Sequence, residues 1–140
     1  MSEAQGNAGR PRAADRPLSP HLLHWRAHLT MTVSISHRFA GMALYGGLLI
    51  FAGWAAALAG GQDSFDFYRG LLGSPLGKLV LLALTFAAFF HLGNGVRHFF
   101  WDVGYGFEKK TADTTAVAVV AFAITATIAV WVVAFMAGVL

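Results

Sequence analysis

Three long apolar runs, at about 39–59, 77–100 and 116–137, constrain this chain more than any other feature. Each is long enough to cross the ~30 Å hydrocarbon layer of a bilayer, which takes ~20 residues as helix. Inside a bilayer every backbone N–H and C=O must be satisfied within the span, so continuous apolar runs are read as helices. A barrel would show many short alternating strands instead. With 56% hydrophobic and only 12% charged residues in 140, the chain is too apolar for an ordinary soluble domain. The expected fold is an all-α membrane protein of three transmembrane helices, forming one anchor domain over residues 16–140.

The flanks differ from the spans. Residues 1–15 are small, polar and rich in Gly and Ala, and read as a flexible tail. The first sixteen residues carry three arginines and two acids without an apolar core, unlike a secretory signal. Ser19 followed by Pro20 is an N-cap and N1 pair. It opens a short amphipathic stretch through His21, Leu22, Trp25 and Leu29, of a length suited to lying in the interface.

Arg10, Arg12, Arg16, Arg26 and Arg38 precede or open the first run, whereas the loop at 60–78 balances Arg69 and Lys78 against Asp63 and Asp66. The positive-inside rule then places the N-terminus in the cytoplasm and, after three crossings, the C-terminus outside. The start of the first span and the end of the second both fall at the inner edge. The second loop lies there too, with Lys109 and Lys110. The few basic residues are divided between membrane flanks, which argues against nucleic acid as a partner despite a pI near 9.7. Absence of cysteine rules out disulfides, thiol chemistry and cysteine-ligated iron–sulfur clusters in this chain.

Ionisable residues interrupt the apolar pattern in two places. His91, Gly95, His98 and Asp102 recur at i, i+4, i+7 and i+11, one stripe of ~16 Å along a helix. Ser34, His37, Arg38, Gly41 and Tyr45 repeat the pattern where the first run begins, on the same side of the membrane. An intramembrane histidine is costly unless it is ligated, hydrogen-bonded or wet. For His91 three readings compete: an interhelical hydrogen bond, a proton relay and haem ligation. Ala87, Ala88 and Gly95, one turn away, leave space for a large flat group, or for close helix packing.

If haem is bound, His91 and His98 cannot both hold the iron. They point the same way, ~10 Å apart, and axial ligands lie on opposite faces. His37, near the inner edge, reads as too shallow to oppose His91, so the second ligand falls to another polypeptide. His37, Arg38 and His98 suit the anionic propionates of a deeper haem, the guanidinium fork matching carboxylates; Arg38 alone also reads as an inner-edge anchor. The Ser34 hydroxyl either back-bonds to its own helix or donates to the carbonyl of a lipid-soluble quinone. Asp102 either feeds protons from the water edge or pairs with Arg97 or Lys109. His21, His24 and His28 share one face, and His24 with His28 has metal-compatible spacing, but no further ligand is nearby. Thr125 and Thr127 are the polar side chains of the third span, which reads as a packing helix.

The segments RPLSPHL (16–22), SISHR (34–38) and HLGNGVRHFFWDVG (91–104) closely resemble the cytochrome b556 subunit family of succinate dehydrogenase, with Ala40 standing where the family usually has Ser or Thr. The resemblance implies a membrane anchor of respiratory complex II in a bacterial inner membrane, a bacterial member being favoured over a mitochondrial precursor. It implies haem b with His91 as axial ligand, shared with a second small anchor subunit that supplies the opposite histidine. It further implies Ser34 and Arg38 at a ubiquinone pocket, and His37, Arg38 and His98 around the propionates. A flavoprotein subunit and an iron–sulfur subunit would oxidise succinate, so this chain would not be an independent catalyst. Two other readings are a free-standing b-type cytochrome, for which the outer halves of the spans lack histidines, and a cofactor-free structural membrane protein.

Overall fold

The computed structural model describes residues 26–138 and is all-helical there, with no strand among the described residues. Among the described residues four helices follow in order: α1 (Leu29–Ala59), α2 (Gln62–Gly73), α3 (Pro75–Asp102) and α4 (Lys109–Met136). The tail at 1–15 and most of the interfacial stretch around Ser19 to Trp25, including His21 and His24, lie outside the described residues. Leu29, assigned to that stretch from sequence, instead opens α1.

α1, α3 and α4 are the spans, of 31, 28 and 28 residues. At 1.5 Å per residue they measure roughly 42–46 Å, enough to cross both the hydrocarbon layer and its headgroup zones. This explains why α1 begins ten residues before the apolar run: apolarity ends where lipid tails end, whereas helical hydrogen bonding continues through the polar flank. The start of α3 is locally encoded. Ser74 caps it by accepting from the Gly77 backbone N–H at 3.1 Å, while its own hydroxyl donates to Leu71 O at 2.7 Å. Pro75 occupies the first turn, where no amide hydrogen is required.

The first loop contains a helix that the apolar pattern did not mark. α2 carries its polar residues among Phe65, Phe67 and Leu71, and it is tied to α1 by Tyr68, whose hydroxyl donates to Ile50 O at 2.7 Å. The second loop, 103–108, turns on two glycines with positive φ, Gly104 at 88° and Gly106 at 85°.

Within the chain, α3 packs against both α1 and α4. The shared core is made of Val33 and Ala40 from α1, Ala87 and Phe90 from α3, and Ala116, Val119 and Ala123 from α4. Small side chains predominate, as expected where helices associate by close contact and not by exclusion of water. Thr127 joins this seam, buried and back-bonded to Ala123 O at 2.6 Å. Most large apolar side chains, among them Phe39, Leu48, Leu49, Phe99 and Val133, remain exposed on the single chain. Their faces suit lipid or neighbouring helices.

Candidate functional site

The antiparallel pairing of α1 and α3 brings the two polar stripes together. The His37 ring stacks on His91 with centroids 4.0 Å apart and planes 21° apart, and lies 5.3 Å from His98. Three imidazoles thus form one cluster between the two helices. His37 is therefore level with His91, not shallower as the apolar boundary suggested. The reason is that α1 is already two turns old at His37, and a glycine on α1 admits the facing ring. A Cβ at Gly41 would stand 3.2 Å from His91 Nε2, inside ordinary contact distance.

The clearance around His91 differs in detail from the sequence expectation. Ala87 is drawn into the three-helix core and Ala88 is exposed. Space is left instead by Gly41, and by Gly95, where an added Cβ would meet nothing within 4 Å. His37 Nδ1 is buried without a hydrogen-bond partner among the described residues. Burying such a group unpaired costs on the order of 1–3 kcal/mol, so the cluster is a place where a polar partner is worth having.

Ser34 lies one turn before His37 on α1 and is half-buried. Thr32, Thr85, Thr114, Thr115 and Thr127 all back-bond to their own helices. Ser34 makes no such bond among the described residues, which leaves its hydroxyl available to an external acceptor. Arg38 and Asp102 are exposed, Asp102 being the last residue of α3, and Tyr45 is 70% exposed. The described residues contain no group of three or more His, Asp or Glu arranged to hold a metal ion by themselves.

Asn94 is not among the residues that the sequence marks, and Arg97 enters there only as a partner for Asp102. Both are buried, at 0% and 4% exposure. Arg97 turns to α4: its Nε donates to Thr115 Oγ1 at 3.1 Å and its Nη2 to Ala112 O at 2.9 Å, and its guanidinium lies 4.0 Å over the Trp101 ring. Asn94 Nδ2 donates to Phe90 O at 3.3 Å, and Oδ1 has no partner among the described residues. The signal was present in the i, i+3, i+7 spacing of Asn94, Arg97 and Trp101. That is a second stripe on α3, about a quarter-turn from the histidines.

Comparison with known proteins identifies relatives of the whole chain. Residues 12–130 match the family described as succinate dehydrogenase/fumarate reductase transmembrane subunit. The chain is 38% identical over 117 residues to a succinate dehydrogenase cytochrome b556 subunit of Rickettsia felis, covering 84% of this chain and 91% of that protein. It is 36% identical over 107 residues to the protein of the same name from Paracoccus denitrificans, covering 76% and 82%. The mitochondrial cytochrome b560 subunit of succinate dehydrogenase from Mus musculus is 38% identical over 114 residues, covering 80% and 68%.

Proposed function

The chain belongs to the succinate dehydrogenase/fumarate reductase transmembrane subunit family, and from that premise we propose that it is the membrane-anchor cytochrome b subunit of a bacterial succinate:ubiquinone oxidoreductase. The observation that carries the reading is the imidazole cluster: His37 and His91 stacked at 4.0 Å across α1 and α3, with Gly41 of α1 directly against His91.

The residues suit haem b on three counts. The His91 imidazole approaches Gly41 so closely that a Cβ there would stand 3.2 Å from Nε2, so the absence of a side chain is what lets the ring take this place. The unpartnered Nδ1 of His37 offers a hydrogen-bonding site beside it. His98, 5.3 Å from His37 in the same cluster, adds a further imidazole donor for an anionic group. Bound there, haem would supply a one-electron relay.

The chain's own residues divide the remaining work. His91 would ligate the haem iron, and His37, Arg38 and His98 would hold its propionates. The Ser34 hydroxyl and the Arg38 guanidinium orient a ubiquinone carbonyl and favour the negative charge that builds on it during reduction. Asp102 sits at the water edge, where it can pass protons inward. Succinate oxidation belongs to a flavoprotein and an iron–sulfur subunit docked on the cytoplasmic side. The N-terminus faces the cytoplasm, as the arginine distribution argues, and the C-terminus lies outside.

The test is to purify the tagged chain in mild detergent, identify the co-isolating chains by mass, and assay succinate oxidation with ubiquinone as acceptor. The reading expects a flavoprotein, an iron–sulfur protein and a second small membrane chain, with quinone reductase activity. Isolation of the chain alone from membranes that retain the activity would contradict it.

A further inference from the structure

The stripe formed by Asn94, Arg97 and Trp101 is not explained by haem or quinone binding. An arginine 4% exposed within a spanning helix is costly and seldom without a role. Arg97 joins the last turns of α3 to the first turns of α4 through Thr115 and Ala112, and covers one face of Trp101.

Trp101 is held on its other sides as well. Its Nε1–H donates to Gly106 O at 3.2 Å, and the Phe107 ring stacks on it at 6.0 Å. The positive φ of Gly106, strained for any residue with a side chain, belongs to the turn that delivers this carbonyl. So fixed, Trp101 meets the His98 ring at 90° with centroids 5.1 Å apart. His98 faces His37, which stacks on His91. An unbroken series of contacts therefore runs from the first turns of α4 to the imidazole cluster.

We propose that Arg97 and Trp101 are positioning residues that fix the orientation of the His98 imidazole, so that α4, which supplies no member of the cluster, governs its geometry. This rests on the reading of His98 as a residue on the propionate side of a b haem. A plain interhelical staple at Arg97 would make no distinction among aromatic and aliphatic residues at position 101, whereas the positioning role does.

The experiment uses the complete purified membrane complex and two readouts. The first is the rate of carbethoxylation of each histidine by diethyl pyrocarbonate, located by mass spectrometry. Trp101→Leu, which keeps apolar bulk and removes the ring, should raise the rate at His98 several-fold and leave His37 and His91 unchanged. Trp101→Phe, which keeps an aromatic face toward His98, should stay near the wild type. Arg97→Lys, which keeps the charge but loses the planar fork, should behave like Trp101→Leu. An unchanged His98 rate in Trp101→Leu, or equal acceleration at all three histidines, would overturn the proposal.

The second readout is the haem midpoint potential. Trp101→Leu should shift it, and the Trp101→Leu/His98→Ala double variant should shift it no further than His98→Ala alone. Additive shifts would overturn action through His98. If the wild-type complex has no b-type absorbance, the haem reading fails separately, and the carbethoxylation rates still decide the positioning role.

Discussion

Gly41 offers a graded way to perturb the site. Its absent Cβ would lie 3.2 Å from His91 Nε2 and 3.5 Å from Cδ2, against about 3.5–4.0 Å for comfortable contact. Gly41→Ala therefore requires the imidazole to retreat by a few tenths of an ångström, at about 0.5–1.5 kcal/mol if the ring leaves its rotamer well. Replacing glycine within a helix returns about 1 kcal/mol. The two effects nearly cancel, so this variant should assemble normally, keep most of its haem and show a shifted α-band. Gly41→Leu adds bulk that the ring cannot avoid, an overpacking cost of about 1–3 kcal/mol. At tenfold per 1.4 kcal/mol, His91 would occupy its present position roughly five- to a hundredfold less often. The assay is haem per complex from the reduced-minus-oxidised spectrum, with succinate-to-dye activity reporting assembly. Gly46→Leu is the control, because nothing lies within 4 Å of a Cβ there. Full haem content with an unshifted band in Gly41→Leu would refute the close approach as part of the site.

Other expectations separate the site from its scaffold. Tyr68→Phe removes the 2.7 Å bond to Ile50 O and should cost about 0.5–1.5 kcal/mol, seen as faster thermal loss of the complex with its haem spectrum unchanged; a spectral change would mean that α2 reaches the site. Ser34→Ala should slow ubiquinone reduction while leaving succinate oxidation by a soluble dye intact, and equal loss of both activities would remove Ser34 from the quinone pocket.

The three spans were legible because lipid imposes one requirement, an unbroken apolar helix, that composition shows directly. Their ends were not, since α1 continues through Thr30 to Arg38 and α4 through Lys109 to Thr115, where backbone bonding persists without apolarity. α2 escaped notice for a related reason. Its polar residues, among them Asp63, Asp66 and Arg69, read as loop, and its attachment through Tyr68 joins residues 18 apart in the chain. At the site, helical periodicity identified His91 and His98 as one stripe and found its partner on α1. Depth was harder to read. The level of His37 depends on how closely α1 and α3 approach, which Gly41 sets and a single helix cannot disclose. Arg97 looked like a surface charge near Asp102 because its true partners, Ala112 and Thr115, lie across the second turn.

Ligation of a b haem by His91, in a complex formed with other subunits, is what the proposed function depends on most. Its most direct test is the reduced-minus-oxidised spectrum of the purified complex, taken for the wild type and for His91→Ala at equal subunit content. The wild type should give a b-type α-band, and His91→Ala should lose it or convert it to a differently ligated form. An assembled wild-type complex without that band, or an unaltered band in His91→Ala, would contradict the account.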